Sequence, residues 1–319
     1  MKKLLAILLA ALMVFTVVAC GDKEKQGNND DEQYKDKTVI KDSETLEGSS
    51  DTFYYENVDS ETVIIVGFST TNDAKHTVHI PAYFVDNGGE DPLRVVGIGK
   101  EAFNCSSSVE TLVFPTEEQY RELDADFDMS KHTFTIADFA LRECVSLTTL
   151  SFPAYVTEIG VGAFFGCVAL DTLTFEAGSR LTKIADTAFM DCTALQNVEL
   201  PGSLQSIGAA AFFECTALES VVINEGTLTI GEQAFQKCSA LANVELPASL
   251  ETIGDNAFHS CASLYLEGWK NAGVPVKPGD EVDENSDEYK EYVKALAEYN
   301  ASAVKAYEDK LGLVNRDGD

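Results

Sequence analysis

Ile207-Gly208-Ala209-Ala210-Ala211-Phe212-Phe213-Glu214-Cys215, then Ile230-Gly231-Glu232-Gln233-Ala234-Phe235-Gln236-Lys237-Cys238, then Ile253-Gly254-Asp255-Asn256-Ala257-Phe258-His259-Ser260-Cys261: one string, Ile-Gly-x-x-Ala-Phe-x-x-Cys, recurs three times in succession. A fourth full copy runs from Ile159 to Cys167, and looser copies start at Ile98, Ile136 and Ile184. The intervals between the seven Ile positions are 38, 23, 25, 23, 23 and 23 residues. A fixed period in the twenties is the mark of a stacked solenoid. The long interval holds an insertion between Pro115 and Ile136, and the interval of 25 holds two extra residues near Gly178 to Arg180. Both fall in connections, where such folds accept changes of length.

After the Cys each unit reads Leu-x-x-Val-x-Leu-Pro, as in Leu195-x-x-Val198-x-Leu200-Pro201 and Leu241-x-x-Val244-x-Leu246-Pro247. Apolar residues two apart predict a short strand with one buried face, which the Pro then ends. The rest of the unit is apolar at helical spacing for about one turn, too short to persist alone, so it must pack on its neighbours. Stacking sets equivalent strands side by side and parallel, about 4.8 Å apart. With Val198 and Leu200 inward, Asn197 and Glu199 face out. The same alternation exposes Thr111 and Val113, Thr149 and Ser151, Thr172 and Thr174, Ser220 and Val222, and Asn243 and Glu245. These twelve side chains form the expected binding face.

The repeated unit resembles the BspA-type leucine-rich repeat of bacterial surface proteins, over Ile98 to about Leu266. The resemblance implies surface-exposed proteins, often lipoproteins, associated with adhesion to host or matrix components and to other bacteria, and it carries no catalytic residues. The fold class expected is an α/β repeat solenoid of leucine-rich repeats, with a parallel strand per unit, a β-rich N-terminal cap and a C-terminal helix. Units at the two ends depart from the pattern, as capping units do. Ser106 stands where the Cys should be with Cys105 one place early, Leu141 replaces the Phe, and the strand pattern fails at Glu267 and Trp269.

Residues 1–20 read as a lipoprotein signal peptide. Lys2 and Lys3 precede the apolar run Leu4 to Val18, which is too short to span a bilayer. Val17-Val18-Ala19-Cys20 resembles a bacterial lipobox, and the resemblance implies a diacylglyceryl group on Cys20, a membrane anchor outside the cytoplasm. Residues 21–51 are polar and acidic, the composition of a disordered tether. Residues 52–97 hold β-rich runs separated by turn signals, the expected N-terminal cap. The seven units occupy 98–268, with the insertion at 116–135. A linker follows at 269–284, then an amphipathic helix and tail at 285–319 whose Tyr289, Tyr292, Leu296, Tyr299, Ala303, Tyr307 and Leu311 recur at intervals of three and four.

The chain of 319 residues carries 53 acidic and 23 basic side chains, a net charge of −30. This excludes a nucleic-acid binder, which needs clustered basic charge. Having its apolar run only at the start excludes a polytopic membrane protein. The array alone, Ile98 to Leu266, has 23 acids against 7 bases, so a cationic partner is favoured. Cys144, Cys167, Cys192, Cys215, Cys238 and Cys261 fall in one column without Cys-x-x-Cys or a His partner, which reads as buried thiols rather than a metal site. Asp124-x-Asp126-x-Asp128 has the opening of a calcium loop, but Met129 stands at its sixth position and Thr135 at its twelfth. A solvated acidic loop is expected there, after a short helix that Thr116 and Gln119 begin as a capping box. Glu199 and Glu245 lie two strands apart, about 10 Å, a spacing within reach of paired carboxylates in glycosidases, yet a flat open sheet lacks the burial such chemistry requires. No cofactor, metal or catalytic residue is expected. The function read from the sequence is a surface scaffold for a protein or glycan ligand, with a structural role in the envelope as the alternative.

Overall fold

The computed structural model describes residues 38–41, 51–71, 74–84, 92–122 and 124–264. The signal peptide, nearly all of the tether, the linker and the C-terminal helix of the sequence reading lie outside these residues.

Among the described residues six of the seven units supply the expected strand: β7 (Val109–Val113), β9 (Thr149–Phe152), β11 (Thr172–Phe175), β13 (Asn197–Leu200), β15 (Ser220–Ile223) and β17 (Asn243–Glu245). They form one parallel sheet in the order β17-β15-β13-β11-β9-β7-β4, where β4 (His76–His79) comes from the N-terminal region. Equivalent residues pair, Val198 with Val221 and Val221 with Val244, so every strand keeps the same face inward.

A second strand per unit was not legible in the pattern. It comprises the residues that end in the repeat Ile: β8 (Phe134–Ile136), β10 (Val156–Ile159), β12 (Lys183–Ile184), β14 (Ser206–Ile207), β16 (Thr229–Ile230) and β18 (Thr252–Ile253). They continue a second sheet that starts with β1 (Thr38–Lys41), β2 (Asp51–Asn57), β3 (Thr62–Thr70) and β6 (Leu93–Ile98), with β5 (Tyr83–Phe84) paired to β6. Ile159, Ile184, Ile207 and Ile230 are buried between the sheets, while Lys183, Ser206 and Thr229 point away. The N-terminal strands thus extend both sheets as well as covering the end of the stack. β1 falls within the stretch whose composition reads as tether. Its Thr-Val-Ile-Lys is β-prone and pairs antiparallel with β2, Ile40 opposite Phe53.

The segment from Gly to Cys, read as a helical turn, is no helix. Two residues of every unit take positive φ, for example Ala210 (52°) and Glu214 (58°), Gln233 (58°) and Lys237 (63°). A non-glycine residue there costs about 1 kcal/mol, which the cross-unit hydrogen bonds offset. The alternation turns successive amides toward the next unit: Ala210 N–H donates to Glu232 O (2.8 Å), Phe212 to Ala234 O (2.7 Å) and Glu214 to Gln236 O (2.9 Å). A helix would spend those donors within the unit. Here they make a third ladder between units.

Inside, Phe164, Phe189, Phe212, Phe235 and Phe258 form a stacked column with centroids 5.1 to 5.2 Å apart. Where Leu141 interrupts it, Phe152 of β9 packs edge-on against Phe164 (5.7 Å). Phe103 of the first unit stacks on Phe68 of β3 (4.7 Å). Beside the Phe column runs the Cys column, buried and free of disulfides from Cys144 to Cys261. Each thiol donates to the Phe-position carbonyl of the preceding unit, Cys215 to Phe189 O (3.3 Å) and Cys238 to Phe212 O (3.1 Å). Cys therefore supplies a small side chain with a donor where a buried carbonyl needs one. Burial pushes the Cys144 thiol up to about 12, so these sulfurs stay protonated and unreactive.

The 116–135 insertion is fastened to the array rather than hanging from it. Its capping box forms at Thr116 and Gln119, opening α1 (Glu117–Arg121). Tyr120 is fully buried, donates to Val95 O (3.1 Å) and stacks on Phe127 (4.8 Å). From the other length change, Arg180 donates to the carbonyls of Met129 (3.1 Å), Ser130 (2.5 Å) and His132. The two irregularities of the repeat are one structural unit. The Asp side chains of the loop serve the loop itself: Asp124 accepts from the Asp126 amide (3.2 Å), and Asp128 accepts from the Ser130 amide (3.1 Å) and pairs with Lys131 (3.0 Å).

His132 sits in this fastening, 6% exposed, with its ring 4.6 Å from that of Tyr120 and 5.3 Å from that of Tyr155. Its Nε2 has no hydrogen-bond partner among the described residues, and burial, helped by the nearby guanidinium groups of Arg94 and Arg180, holds its pKa down at about 4. An unfolded His titrates near 6.5, so between those values the unfolded chain binds a proton that the folded chain refuses. Stability is then complete above about pH 6.5 and falls as the pH drops toward 4, by about 3 kcal/mol. Denaturant unfolding at pH 7 and pH 4 should show this loss in the wild type and little of it in His132→Phe. Equal loss in both would assign acid sensitivity to other groups.

Candidate functional site: the exposed strand face

The strand sheet has one side in the core and one side uncovered by any described residue. All twelve side chains named from the sequence lie on the uncovered side, none of them buried. They form two rows across the strands. One runs Thr111, Thr149, Thr172, Asn197, Ser220, Asn243; the other runs Val113, Ser151, Thr174, Glu199, Val222, Glu245. The first is entirely hydroxyl or amide, and the second gains carboxylates toward the C-terminal end.

The face is not uniform. Over β11, β13 and β15 it dips into a trough of about 820 Å³, floored by Thr174, Asn197, Glu199, Ser220 and Val222. Its walls are the turns Glu176-Ala177-Gly178-Ser179 and Pro201-Gly202-Ser203. The two extra residues of the 25-residue interval lengthen the first wall. Gly178 (φ 77°) turns the chain there, and Arg180 then leaves toward the insertion. Asn224 bridges floor and wall: its amide donates to Leu200 O (2.9 Å) and to Glu199 Oε1 (3.3 Å), steadying that carboxylate. Sequence alternation found the floor residues. It missed Asn224, whose turn position has no period-2 signature, and the trough itself, which depends on wall length.

Among the described residues neither Glu199 nor Glu245 has a basic partner, and both are exposed. No group of His, Cys, Asp and Glu among the described residues is arranged to hold a metal ion. An acid held above its ordinary range lies elsewhere, on the positive-φ ladder. Burial and the neighbouring Glu214 push Asp191 up to about 6, while Lys237 pairs with Glu214 and lies 4.9 Å from the Phe213 ring centre. This is a column of stacked equivalent positions, with the charges ordered along the array.

Residues 134–265 match the family described as BspA type leucine-rich repeat region, in six copies. The array is a BspA-type leucine-rich repeat. The first unit, from Ile98, precedes the matched residues. No curated protein matches the chain. Among solved structures, a leucine-rich cell surface protein from Faecalibacterium prausnitzii A2-165 is 23% identical over 66% of this chain and 51% of its own, with a TM-score of 0.49. The present chain thus spans about half of that protein's length. A leucine-rich repeat protein of T. pallidum is 22% identical, covering 76% of this chain and 92% of its own, with a TM-score of 0.40. One from Bacteroides capillosus ATCC 29799 is 18% identical over 63% of this chain and 92% of its own, with a TM-score of 0.30.

Proposed function

We propose that this BspA-type repeat protein is a binding scaffold displayed outside the cytoplasm, which docks a macromolecular ligand on its strand face. The observation that carries the reading is the open seven-stranded parallel sheet, whose outward rows are polar apart from Val113 and Val222, in register and uncovered by any described residue. A rigid ladder of this kind holds its side chains in place before binding, so little ordering cost falls on the scaffold. The likeness to a Faecalibacterium cell surface protein and the lipobox-like Val17-Val18-Ala19-Cys20 support display at the surface through an acylated Cys20. No helix among the described residues is long and apolar enough to cross a membrane. Binding rather than catalysis is favoured because the face offers exposed carboxylates on an open sheet, without the enclosure that tunes an acid and a base apart.

The test is solid-phase binding of the full chain to immobilised collagen, fibronectin, laminin and mucin glycans. Retention on at least one of them is expected, together with at least a tenfold loss for Thr174→Tyr combined with Ser220→Tyr, two neutral changes that fill the trough. Undiminished binding by that variant would place the site off the strand face, and the absence of binding to all four would remove the adhesion reading.

A further inference from the structure

We propose that the trough and the carboxylate beyond it take an extended basic polypeptide segment, lying along the array axis with cationic side chains three residues apart, one at Glu199 and the next at Glu245. The inference rests on the scaffold reading of the same face and adds the chemistry of the partner. Three observations carry it.

The first is charge. The trough and its walls contain Glu199 and Glu176 and not one Lys or Arg, and Glu245 follows on β17, opposite Val222. The Asn224 amide orients Glu199 without neutralising it. The surrounding array carries 23 acids against 7 bases, so the long-range field also draws a cation in.

The second is the floor. Asn197, Ser220 and Thr174 offer amide and hydroxyl groups, which can donate and accept toward a peptide backbone. A sugar-binding floor would present an aromatic platform, and none of the twelve face residues is aromatic. Phe175, at the rim, has its ring stacked on Phe152 at 5.5 Å.

The third is spacing. Glu199 pairs with Val222 and Val222 with Glu245, so the carboxylates stand two strands apart, about 9.6 Å at the usual strand separation. A polyproline II segment rises about 3.1 Å per residue with three residues per turn, which brings residues i and i+3 to one side about 9.3 Å apart. In an ordinary strand, residues on one side recur every two, about 6.7 Å apart, and do not match this interval. A segment of the form Lys-x-x-Lys in that conformation meets both carboxylates. It arrives with its backbone already extended, so binding orders little further.

The probe is the acetylated, amidated peptide Lys-Pro-Pro-Lys-Pro-Pro-Lys, titrated into the full chain in detergent at low and physiological salt. Three results are expected: binding that weakens with salt, about a tenfold loss for Glu199→Gln with Glu245→Gln together with a flatter salt dependence, and under twofold loss for Glu158→Gln with Glu232→Gln. The latter pair removes the same charge from exposed positions off the face. A peptide of the same composition with its three Lys adjacent should bind several-fold more weakly. Equal loss in the two double variants would show attraction to overall charge and overturn the site. Equal binding of the two peptides would overturn the spacing. If the spaced peptide fails to bind while a matrix protein binds and is lost with Thr174→Tyr and Ser220→Tyr, the scaffold stands and the basic partner is wrong.

Discussion

Truncation of Phe212 to alanine is expected to cost about 3 to 5 kcal/mol and to split the array at that unit. Phe212 is fully buried, with Phe189 stacked on one side at 5.2 Å and Phe235 on the other at 5.1 Å. Removing the ring leaves a cavity and breaks the column on both sides at once. In a solenoid each unit contacts only its neighbours, so stability is close to a sum of unit and interface contributions. A lost interface in the middle therefore uncouples the units after it. For a folded region of this size the midpoint of thermal unfolding should fall by roughly 10 °C, and hydrogen exchange should rise first in residues 215–264 rather than uniformly. Phe258→Ala provides the control. Phe258 stacks on Phe235 alone among the described rings, so its removal should cost about half as much. Equal losses at both positions, or exchange that rises evenly along the chain, would show that the column does not couple neighbouring units.

The parts of this fold that could be read from sequence are those governed by side-chain burial. Ile, Ala, Phe, Cys, Leu and Val recur with one period, and that period states both the stacking and which residues of each strand face out. What could not be read is governed by the backbone. The positive-φ positions hold Thr187, Ala210, Glu214, Gln233 and Lys237, residues without the usual left-handed preference; only Gly162 and Gly166, paired within one unit, carried a local signal for both sites. Their conformation comes from the carbonyls of the next unit, which no single repeat contains. The second strand is short for a related reason. Two to four residues are too few for a period, and the partner is a copy of itself 23 or 25 residues away. One unit also misleads by composition. In Thr227-Leu228-Thr229-Ile230 the spacing to Ile230 sets Thr227 in the core and Leu228 outside, so the hydroxyl of Thr227 is buried with no partner among the described residues while Leu228 is 37% exposed. At the site, the alternation gave the floor, whereas the walls depend on turn lengths and on Asn224. Arg180, one of seven basic residues in an acidic array, had no sequence feature joining it to carbonyls some fifty residues earlier.

The backbone ladders also make a small change at Gly231 a large one. A Cβ added there would lie 2.5 Å from both Ala209 N and Gly208 C and 2.7 Å from Gly208 O, all of them backbone atoms of the preceding unit. No rotamer change relieves such contacts, so the two units must separate. Separation stretches the hydrogen bond from Gly231 N–H to Ile207 O (2.8 Å), the β14–β16 pairing beside it and the ladder of the positive-φ turn. Gly231→Ala is therefore expected to destabilise the array by about 3 kcal/mol, although alanine is the smallest residue that could be introduced. The equivalent positions of two other units are already alanine, Ala137 and Ala185, and the units that follow them have Gly160 and Gly208 in close approach to their backbone. A methyl is accommodated at those two positions, whereas at Gly231 the backbone of Gly208 and Ala209 stands where it would go. Ala185→Gly, which only removes one, should cost no more than about 1 kcal/mol, the usual penalty for added chain freedom. Guanidinium unfolding of both variants measures the contrast. A Gly231→Ala protein as stable as Ala185→Gly would mean that the unit spacing is soft, and that the short strands and turn ladder do not fix the distance between units on which the alignment of the strand face depends.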